Sequence, residues 1–208
     1  RFKPQRRIAA DELPDAPTRV RMLGRAIAAL TEAGYVYIGM DHFALPDDPL
    51  AVAKREGRLH RDFQGYSTQP DGDLVALGVS AIGRVGATYS QNAKTLEDYY
   101  ALLDQGRLPV VKGLALSDDD VLRREVIMAL MCRGRVDFDA VESAHGIAFA
   151  DYFAPERAAL VPMAEQGLVR LSPRAIEVTE AGWFLVRAVA MVFDRYCAAT
   201  RTRFSRVV

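Results

Sequence analysis

The pattern of apolar residues changes character near residues 91–95, and this change constrains the fold more than any other feature. Before it, an amphipathic helix that begins near Pro17 ends at Gly34, and a short apolar segment, Tyr35–Met40, follows directly. After it, helical periodicity dominates and is interrupted by a strand pair around Ser172. Helix followed by buried strand is typical of α/β proteins, whereas successive helices with one hairpin indicate a mainly helical domain. The sequence therefore predicts an α/β part followed by a mainly α part.

The second part has a recognisable order of elements. Ser117 precedes three aspartates at the start of a strong helix, as expected for a capped helix whose first turn favours negative charge. Three helices, a two-stranded wing and a closing helix give a winged-helix-like order. Because the chain has 208 residues, it suits one large domain or two small ones, and we place the boundary between residues 92 and 93. The predicted helices after it are 95–105, 117–132, 137–145, 155–166 and 180–196, with a hairpin at 168–178.

Charge and cysteine content exclude several functional classes. Lysine plus arginine and aspartate plus glutamate both number 27, so the chain lacks the basic excess that supplies most nucleic-acid affinity. Cys132 and Cys197 form no C-x-x-C or Cys/His cluster, which excludes a metal site made from cysteine alone. The longest strictly apolar run, Val126–Cys132, is far shorter than a membrane span. We expect no nucleic-acid partner and no membrane span.

Two groups of polar residues are candidates for chemistry. Asp41 and His42 follow the apolar segment, where an ionisable pair can hold or deprotonate a ligand; a hydrogen-bonded structural histidine is the alternative. Five potential cations then fall within eight positions, before Phe63. They predict either a solvated helix face or a binding site for a polycarboxylate. In a helix, Lys54, Arg58 and Arg61 would lie on one face. The five cations are Lys54, Arg55, Arg58, His60 and Arg61.

Three segments resemble one family. They are Gly39-Met40-Asp41-His42-Phe43-Ala44, His60–Gln69 and the closing Phe204-Ser205-Arg206-Val207-Val208. They resemble the C-terminal half of oxygen-independent coproporphyrinogen III oxidases of the HemN type, which are radical S-adenosylmethionine enzymes. The resemblance implies that residues 1–92 are the end of a partial (β/α) barrel and that residues 93–208 are a HemN-type C-terminal helical, winged-helix-like domain. Because the chain also begins without Met, we expect it to be part of a longer protein.

The resemblance also implies an activity for the complete protein. In the family a reduced 4Fe-4S cluster cleaves S-adenosylmethionine to a 5′-deoxyadenosyl radical, which takes a hydrogen atom from a propionate side chain of coproporphyrinogen III. Carbon dioxide and an electron then leave, and two such reactions give the two vinyl groups of protoporphyrinogen IX, a precursor of haem. The cluster cysteines of the family, spaced C-x-x-x-C-x-x-C, have no counterpart in this chain. We therefore expect the chain alone to be inactive.

The family's site residues carry over only where motifs match. Phe63, Gln64 and Ile82 match residues that line S-adenosylmethionine sites, and each suits that role: a ring to cover adenine, an amide to pair with a polar edge, and an apolar side chain among small neighbours. For substrate binding we expect contributions from Asp41 and His42, at the strand end where barrel sites lie, and from the cationic stretch. The residues expected there are Arg58, His60 and Arg61.

Two other functions compete with this interpretation. One is that of a HemW-like haem-binding chaperone of the same superfamily, but those relatives generally lack the Gly-Met-Asp-His signature. The other is a winged-helix DNA-binding regulator made from residues 95–200. The acidic residues on its candidate recognition helices would repel DNA phosphates, which argues against this function. We expect a cytoplasmic monomer whose partners are coproporphyrinogen III and the N-terminal half of the same protein. The opposing acids are Asp139, Glu142, Glu156 and Glu165.

Overall fold

A computed structural model of the chain describes residue 9 and residues 12–197. The closing segment Phe204–Val208, one of the three that carry the family resemblance, lies outside the described residues. Within the described part, every helix is too short or too polar to span a lipid bilayer.

The N-terminal elements confirm the predicted helix and strand, and the strand continues into a hairpin. Helix α1 spans Ala16–Glu32 and strand β1 spans Val36–Gly39. Strand β2, His42–Ala44, pairs with β1 in antiparallel fashion. Met40 and Asp41 both have positive φ, which lets the chain reverse within two residues. The described residues contain no closed barrel, and helix α2, Pro49–Arg55, follows.

The middle of the chain forms two small antiparallel sheets. Strands β3, His60–Arg61, and β4, Tyr66–Ser67, form a two-stranded ladder. The second sheet has the order β5-β6-β7, and helix α3 lies between β6 and β7 in the chain. The domain boundary at 92/93 stays a prediction, although the β6–β7 pairing crosses it. The bounds are β5 Ile82–Val85, β6 Thr88–Asn92, α3 Leu96–Asp104 and β7 Val110–Ala115.

The remaining elements are mainly helical, as predicted, with two corrections. A third strand joins the predicted hairpin, so that the sheet order is β8-β10-β9. The predicted continuous helix 180–196 is wrong, because Leu185 leaves the helical conformation with φ −116° and separates two short helices. The elements are α4 Asp118–Arg133, β8 Arg135–Asp137, α5 Phe138–His145, α6 Phe149–Tyr152, α7 Ala154–Glu165, β9 Val169–Leu171, β10 Ala175–Val178, α8 Glu180–Trp183 and α9 Val186–Met191.

Helix α4 lies at the centre of the core. Ser117 caps it in a complete capping box with Asp120, which satisfies backbone donors at its first turn. Val126 and Leu130 of α4 are fully buried in the same apolar cluster as Ile38 of β1. Residues from both sides of the predicted boundary thus share one core, which fixes the β3–β4 ladder and α9 against the same helix.

Candidate functional site

A cavity of about 900 Å³ lies beside α4. Its walls come from the β3–β4 segment, the face of the β5-β6-β7 sheet, α4, and the chain from α9 to Tyr196. Cavities of this size hold drug-sized or larger ligands, and polar groups that converge on them set specificity. Six arginines line this one: Arg61, Arg84, Arg123, Arg124, Arg187 and Arg195.

One ion-pair network fixes the loop that follows β4. Asp71 accepts two hydrogen bonds of 2.7 Å from the guanidinium of Arg124 on α4, and Arg84 of β5 donates a third at 2.6 Å. The hydrogen bond from Arg124 holds the pKa of Asp71 below its usual value. Arg124 also donates from Nε to the Tyr89 hydroxyl at 3.0 Å. The loop, the sheet and α4 therefore form one connected wall of the cavity.

A second network holds the segment after α9 on the start of α4. Arg123 donates to Asp119 at 2.8 Å, to Glu156 of α7 at 2.7 Å and to the Phe193 carbonyl at 3.2 Å. Arg195 donates to the other oxygen of Asp119 at 2.6 Å. Because Arg123 bonds with three separate parts of the chain, its charge is already balanced by protein groups.

The predicted cationic stretch does not form one helical face. Helix α2 ends at Arg55, so Arg58 and Arg61 cannot continue its periodicity, and the predicted common face of Lys54, Arg58 and Arg61 is wrong. Arg58 is exposed and pairs with Glu56. Only His60 and Arg61 of the five cations reach the cavity, because β3 turns back towards α4.

Lys54 has a structural environment of its own. Its Nζ donates to the Tyr37 carbonyl at 2.5 Å and lies 4.8 Å from the ring centroid of Trp183, in cation–π geometry. Burial lowers the pKa of Lys54 to about 8. These contacts join α2, β1 and α8, and they explain why a charged residue of the stretch is absent from the cavity wall.

The structure gives His42 the contacts of a structural histidine. Its Nδ1 lies 2.8 Å from the Met40 carbonyl oxygen, and its ring packs edge-on against Tyr66 with centroids 5.4 Å apart. A Cβ on Gly65 would lie 2.6 Å from His42 Nε2, so glycine is needed there for this packing. Neither Asp41 nor His42 lines the cavity. The alternative expectation of a hydrogen-bonded structural role thus matches these contacts, and a role in substrate binding stays a prediction.

The three residues expected to bind S-adenosylmethionine are placed differently. Phe63 lies in the cavity wall with 53% of its surface exposed, and it packs edge-on against Tyr89 at 5.5 Å. Ile82 lies on the same face of β5 as Arg84, since alternate residues of a strand share a face. Gln64 leaves its side chain exposed, while its backbone N–H donates to Asp62 at 2.7 Å. Within the described residues, no hydrogen bond or ring contact joins any two of the three.

The arginines of α4 and α9 were missed from the sequence. The chain has 23 arginines spread along its length, so the composition gives no reason to single out these. The available signal was position: Arg123 lies in a helix beside Leu122 and Val126, which are buried, so it must lie at the edge of their buried face, whereas Arg124 lies on the opposite side of the helix.

The described residues do not offer a cluster or metal site. They contain no group of three or more histidine, cysteine, aspartate or glutamate side chains arranged to hold a metal ion. Cys132 is buried, and burial raises the pKa of its thiol to about 11, so the thiolate that iron requires is disfavoured. The sequence has only one other cysteine, Cys197. A 4Fe-4S cluster therefore does not fit this chain's own residues.

Comparison with protein families adds a decisive observation. Residues 116–185, which include α4 to α8, match the family model described as HemN C-terminal domain. This segment is similar to HemN C-terminal domains. The predicted family resemblance is confirmed by this match. Within the matched segment, α4 carries Arg123 and Arg124 into the cavity wall.

Comparison with individual proteins extends the similarity beyond the HemN C-terminal domain. The oxygen-independent coproporphyrinogen III oxidases of Salmonella typhimurium and Escherichia coli are 49% and 46% identical over 209 residues, covering 100% of this chain and 46% of each relative. A relative from Thermostichus vulcanus is 42% identical and is covered to 63%. A solved structure, described as coproporphyrinogen III oxidase (HemN) from Escherichia coli, a radical SAM enzyme, matches 94% of this chain and 45% of its own with TM-score 0.88 and 47% identity. The chain thus spans about half the length of these relatives.

Proposed function

We propose that the chain is the C-terminal part of an oxygen-independent coproporphyrinogen III oxidase, a radical S-adenosylmethionine enzyme. The observation that carries the proposal is the match over the whole chain to oxidases of this name and to a solved radical SAM enzyme at 47% identity. The reaction is the oxidative decarboxylation of two propionates of coproporphyrinogen III to vinyl groups, which gives protoporphyrinogen IX. The enzyme acts as a cytoplasmic monomer.

The arginine-lined cavity supports this substrate. Coproporphyrinogen III carries four carboxylates on a large ring, and guanidinium groups bind carboxylates with two parallel hydrogen bonds. Among the residues predicted for substrate binding, His60 and Arg61 line the cavity. They therefore remain our candidates, whereas Arg58, Asp41 and His42 would need contacts from outside the cavity.

The exposed ring of Phe63 suits S-adenosylmethionine. A half-exposed aromatic ring held edge-on by Tyr89 offers a flat apolar face to adenine. The amide of Gln64 can donate to and accept from a polar edge, and Ile82 adds apolar surface on the sheet. When bound, this cofactor supplies the hydrogen-abstracting chemistry, while Phe63, Gln64 and Ile82 bind and orient it.

The cluster must come from another part of the protein. Because the described residues cannot ligate it, we propose that the N-terminal half, which the relatives have, provides the 4Fe-4S site. The C-terminal part then contributes substrate carboxylate contacts and one face of the cofactor site.

The DNA-binding alternative lacks support in the described residues. Arg174 pairs with Asp139 and Arg170 pairs with Glu177, so both arginines of the predicted wing are already neutralised by neighbouring acids. A protein that binds the phosphate backbone needs free cations on such a surface.

A chimera tests the proposal. The part of the Escherichia coli relative that this chain does not cover is joined to residues 1–208, purified anaerobically and reconstituted with iron and sulfide. We expect conversion of coproporphyrinogen III to protoporphyrinogen IX, measured by chromatography of the oxidised porphyrins. The N-terminal part alone is the control and should give no product. A chimera that cleaves S-adenosylmethionine but never decarboxylates the substrate, or that binds haem in preference to coproporphyrin, would contradict the proposed function.

A further inference from the structure

The six arginines of the cavity fall into two groups. Four are ion-paired with carboxylates of the chain: Arg84 and Arg124 with Asp71, and Arg123 and Arg195 with Asp119. The other two, Arg61 and Arg187, have no ion pair and no hydrogen bond to any side chain within the described residues. A buried or half-buried guanidinium without an anion is costly, so its presence beside a large cavity indicates a ligand with negative charge.

Arg61 has a fixed orientation, but one of its guanidinium nitrogens lacks a hydrogen-bond partner. Its Nη1 is buried without a hydrogen-bond partner in the described structure. Its guanidinium stacks 4.9 Å from the ring centroid of Tyr66, and the Tyr66 hydroxyl donates to the Met131 carbonyl at 2.9 Å. The aromatic ring and helix α4 thus fix the orientation of the cation in advance, which lowers the entropy cost of binding an anion.

Arg187 comes from a different element and is fixed by its helix. Its neighbours Val186, Val189 and Ala190 are buried in the core, so the backbone of α9 cannot shift without breaking apolar packing. The half-buried side chain of Arg187 lines the same cavity as Arg61. Helix α9 and strand β3 both pack against α4, which sets the relative position of the two cations.

The carboxylates in the same wall are already engaged by the protein. Asp71 is shared by two arginines. Asp62, Asp73 and Asp194 each accept a hydrogen bond from a backbone N–H of a nearby turn, donated by Gln64, Gly86 and Tyr196 respectively. Asp120, the remaining acid of the wall, accepts hydrogen bonds from Ser117 and lies 3.8 Å from Arg195. The acidic residues of the cavity are therefore engaged by the protein, and a carboxylate from outside is the natural partner for the two remaining arginines.

We propose that Arg61 and Arg187 each bind a different carboxylate of the tetrapyrrole and so fix its orientation in the cavity. This inference rests on the proposed function. Because the two arginines come from separate elements, a ligand with carboxylates spread around a large ring can reach both, whereas a small monocarboxylate engages one. Both are positioning residues that hold carboxylates at a distance from the bonds that react.

Fluorescence of Trp183, the one tryptophan in the sequence, gives a direct test on the 208-residue chain. The probe is coproporphyrin III, the air-stable oxidised form of the substrate, which quenches indole emission by energy transfer. We expect Arg61→Gln and Arg187→Gln each to weaken its binding about tenfold or more, as the loss of a charged hydrogen bond predicts. Lysine at either position should restore part of the affinity. The uncharged tetramethyl ester of coproporphyrin should bind weakly to every variant.

Arg170→Gln is the matched control, because Arg170 is exposed, pairs with Glu177 and lies outside the cavity wall. It should leave coproporphyrin affinity unchanged, and thermal melting should show that all variants are folded. Equal affinity of folded Arg61→Gln, Arg187→Gln and the unaltered chain would overturn the inference, as would absence of porphyrin binding to the unaltered chain. If the chimera still decarboxylates coproporphyrinogen in either case, only the inference fails and the proposed function stands.

Discussion

The indole N–H of Trp183 donates a hydrogen bond of 3.0 Å to the carbonyl oxygen of Ile38. The two residues are 145 positions apart, and they join β1 to α8 across the common core. Trp183 also lies under the ammonium group of Lys54, and its ring is 3.0 Å from where a Cβ on Gly134 would be. One side chain therefore connects the N-terminal hairpin, α2 and the end of α4.

Replacing Trp183 by Phe should lower the free energy of unfolding by about 1–3 kcal/mol. The change removes the hydrogen bond, leaves the fully buried Ile38 without its side-chain donor, and shrinks the ring that packs on Lys54. Urea unfolding followed by circular dichroism measures the change. Tyr35→Phe is the control, since Tyr35 is exposed and its hydroxyl bonds with none of the described residues. Equal midpoints for both variants would show that the indole contact is unimportant for stability.

Replacing Asp71 by Asn should loosen the loop after β4. The variant loses the charge that Arg84 and Arg124 share, and we expect a loss of about 1 kcal/mol, because the carboxylate is partly exposed. The folded-state pKa of Asp71 is lowered, so this stabilisation is present above the ordinary pKa of about 4 and is lost as pH falls through the lower, folded value.

Asp73→Asn is the matched control for Asp71→Asn. Its Oδ1 accepts the Gly86 N–H, a bond that an asparagine oxygen can keep. Unfolding of both variants at pH 7 and pH 3 should show a larger deficit for Asp71→Asn that shrinks at the lower pH. A deficit independent of pH would contradict the role assigned to the ion pairs.

The stability of the chain should rise with pH in the alkaline range on account of Lys54. Burial lowers the pKa of Lys54 to about 8 in the folded state, whereas an unfolded lysine has an ordinary value of about 10.4. Between these values the unfolded chain binds more protons, so the free energy of unfolding increases with pH there and the contribution is flat below about pH 8. Lys54→Met should lack this increase. If the free energy of unfolding changes with pH equally in the unaltered chain and in Lys54→Met between pH 8 and 10, the increase does not come from Lys54.

Two glycine substitutions should have opposite effects. A Cβ on Gly182 would lie 1.8 Å from the Leu168 carbonyl oxygen, so Gly182→Ala must displace backbone and should destabilise the chain by about 3 kcal/mol or more. A Cβ on Gly24 in α1 meets nothing within 4 Å, so Gly24→Ala should raise stability by about 0.5–1 kcal/mol. Differential scanning calorimetry measures whether each variant melts at a lower or a higher temperature than the unaltered chain. A harmless Gly182→Ala would mean that the α8–β9 approach is wider than described.

The 208-residue chain should fail to acquire an iron–sulfur cluster. Its two cysteines do not form a ligand set, and the described residues offer no other. After anaerobic reconstitution with iron and sulfide, the desalted protein should show no charge-transfer absorption and no stoichiometric iron by colorimetric assay. The chimera with the N-terminal part of the Escherichia coli relative is the positive control. A stable brown cluster on the chain alone would contradict this prediction.

Local signals in the sequence located most helices correctly. Ser117 and Gly134 mark the ends of α4, and Gly146 ends α5 in the left-handed conformation, because a cap residue and a glycine act on the backbone next to them. The family resemblance rested on short motifs and was equally local. Helix ends and short motifs can be predicted from the sequence because the residues that determine them lie within a few positions.

Features that depend on contacts between residues far apart in the chain could not be predicted from the sequence. The apolar segment Tyr35–Met40 predicted a strand, but it did not predict the hairpin with β2 that the positive φ of Met40 and Asp41 produces. The cavity requires β3, the β5-β6-β7 sheet, α4 and α9 together, and no spacing in the sequence brings Arg61 near Arg187. The expected face of Lys54, Arg58 and Arg61 failed because α2 ends at Arg55, and the contact of Lys54 with Trp183, 129 positions away, could not be predicted from the sequence.

The β5-β6-β7 sheet has a consequence for cooperative unfolding. Its central strand, β6, ends at Asn92, whose side chain is buried and donates to the Ala76 and Gly78 carbonyls, while β7 returns from beyond α3 to complete the ladder. Cutting the chain after residue 92 would remove β7 as a partner of β6, and the central strand would become an unpaired edge strand that is prone to aggregation. The two architectures that the sequence distinguishes should therefore melt in a single transition, and a protease should release neither as a stable fragment.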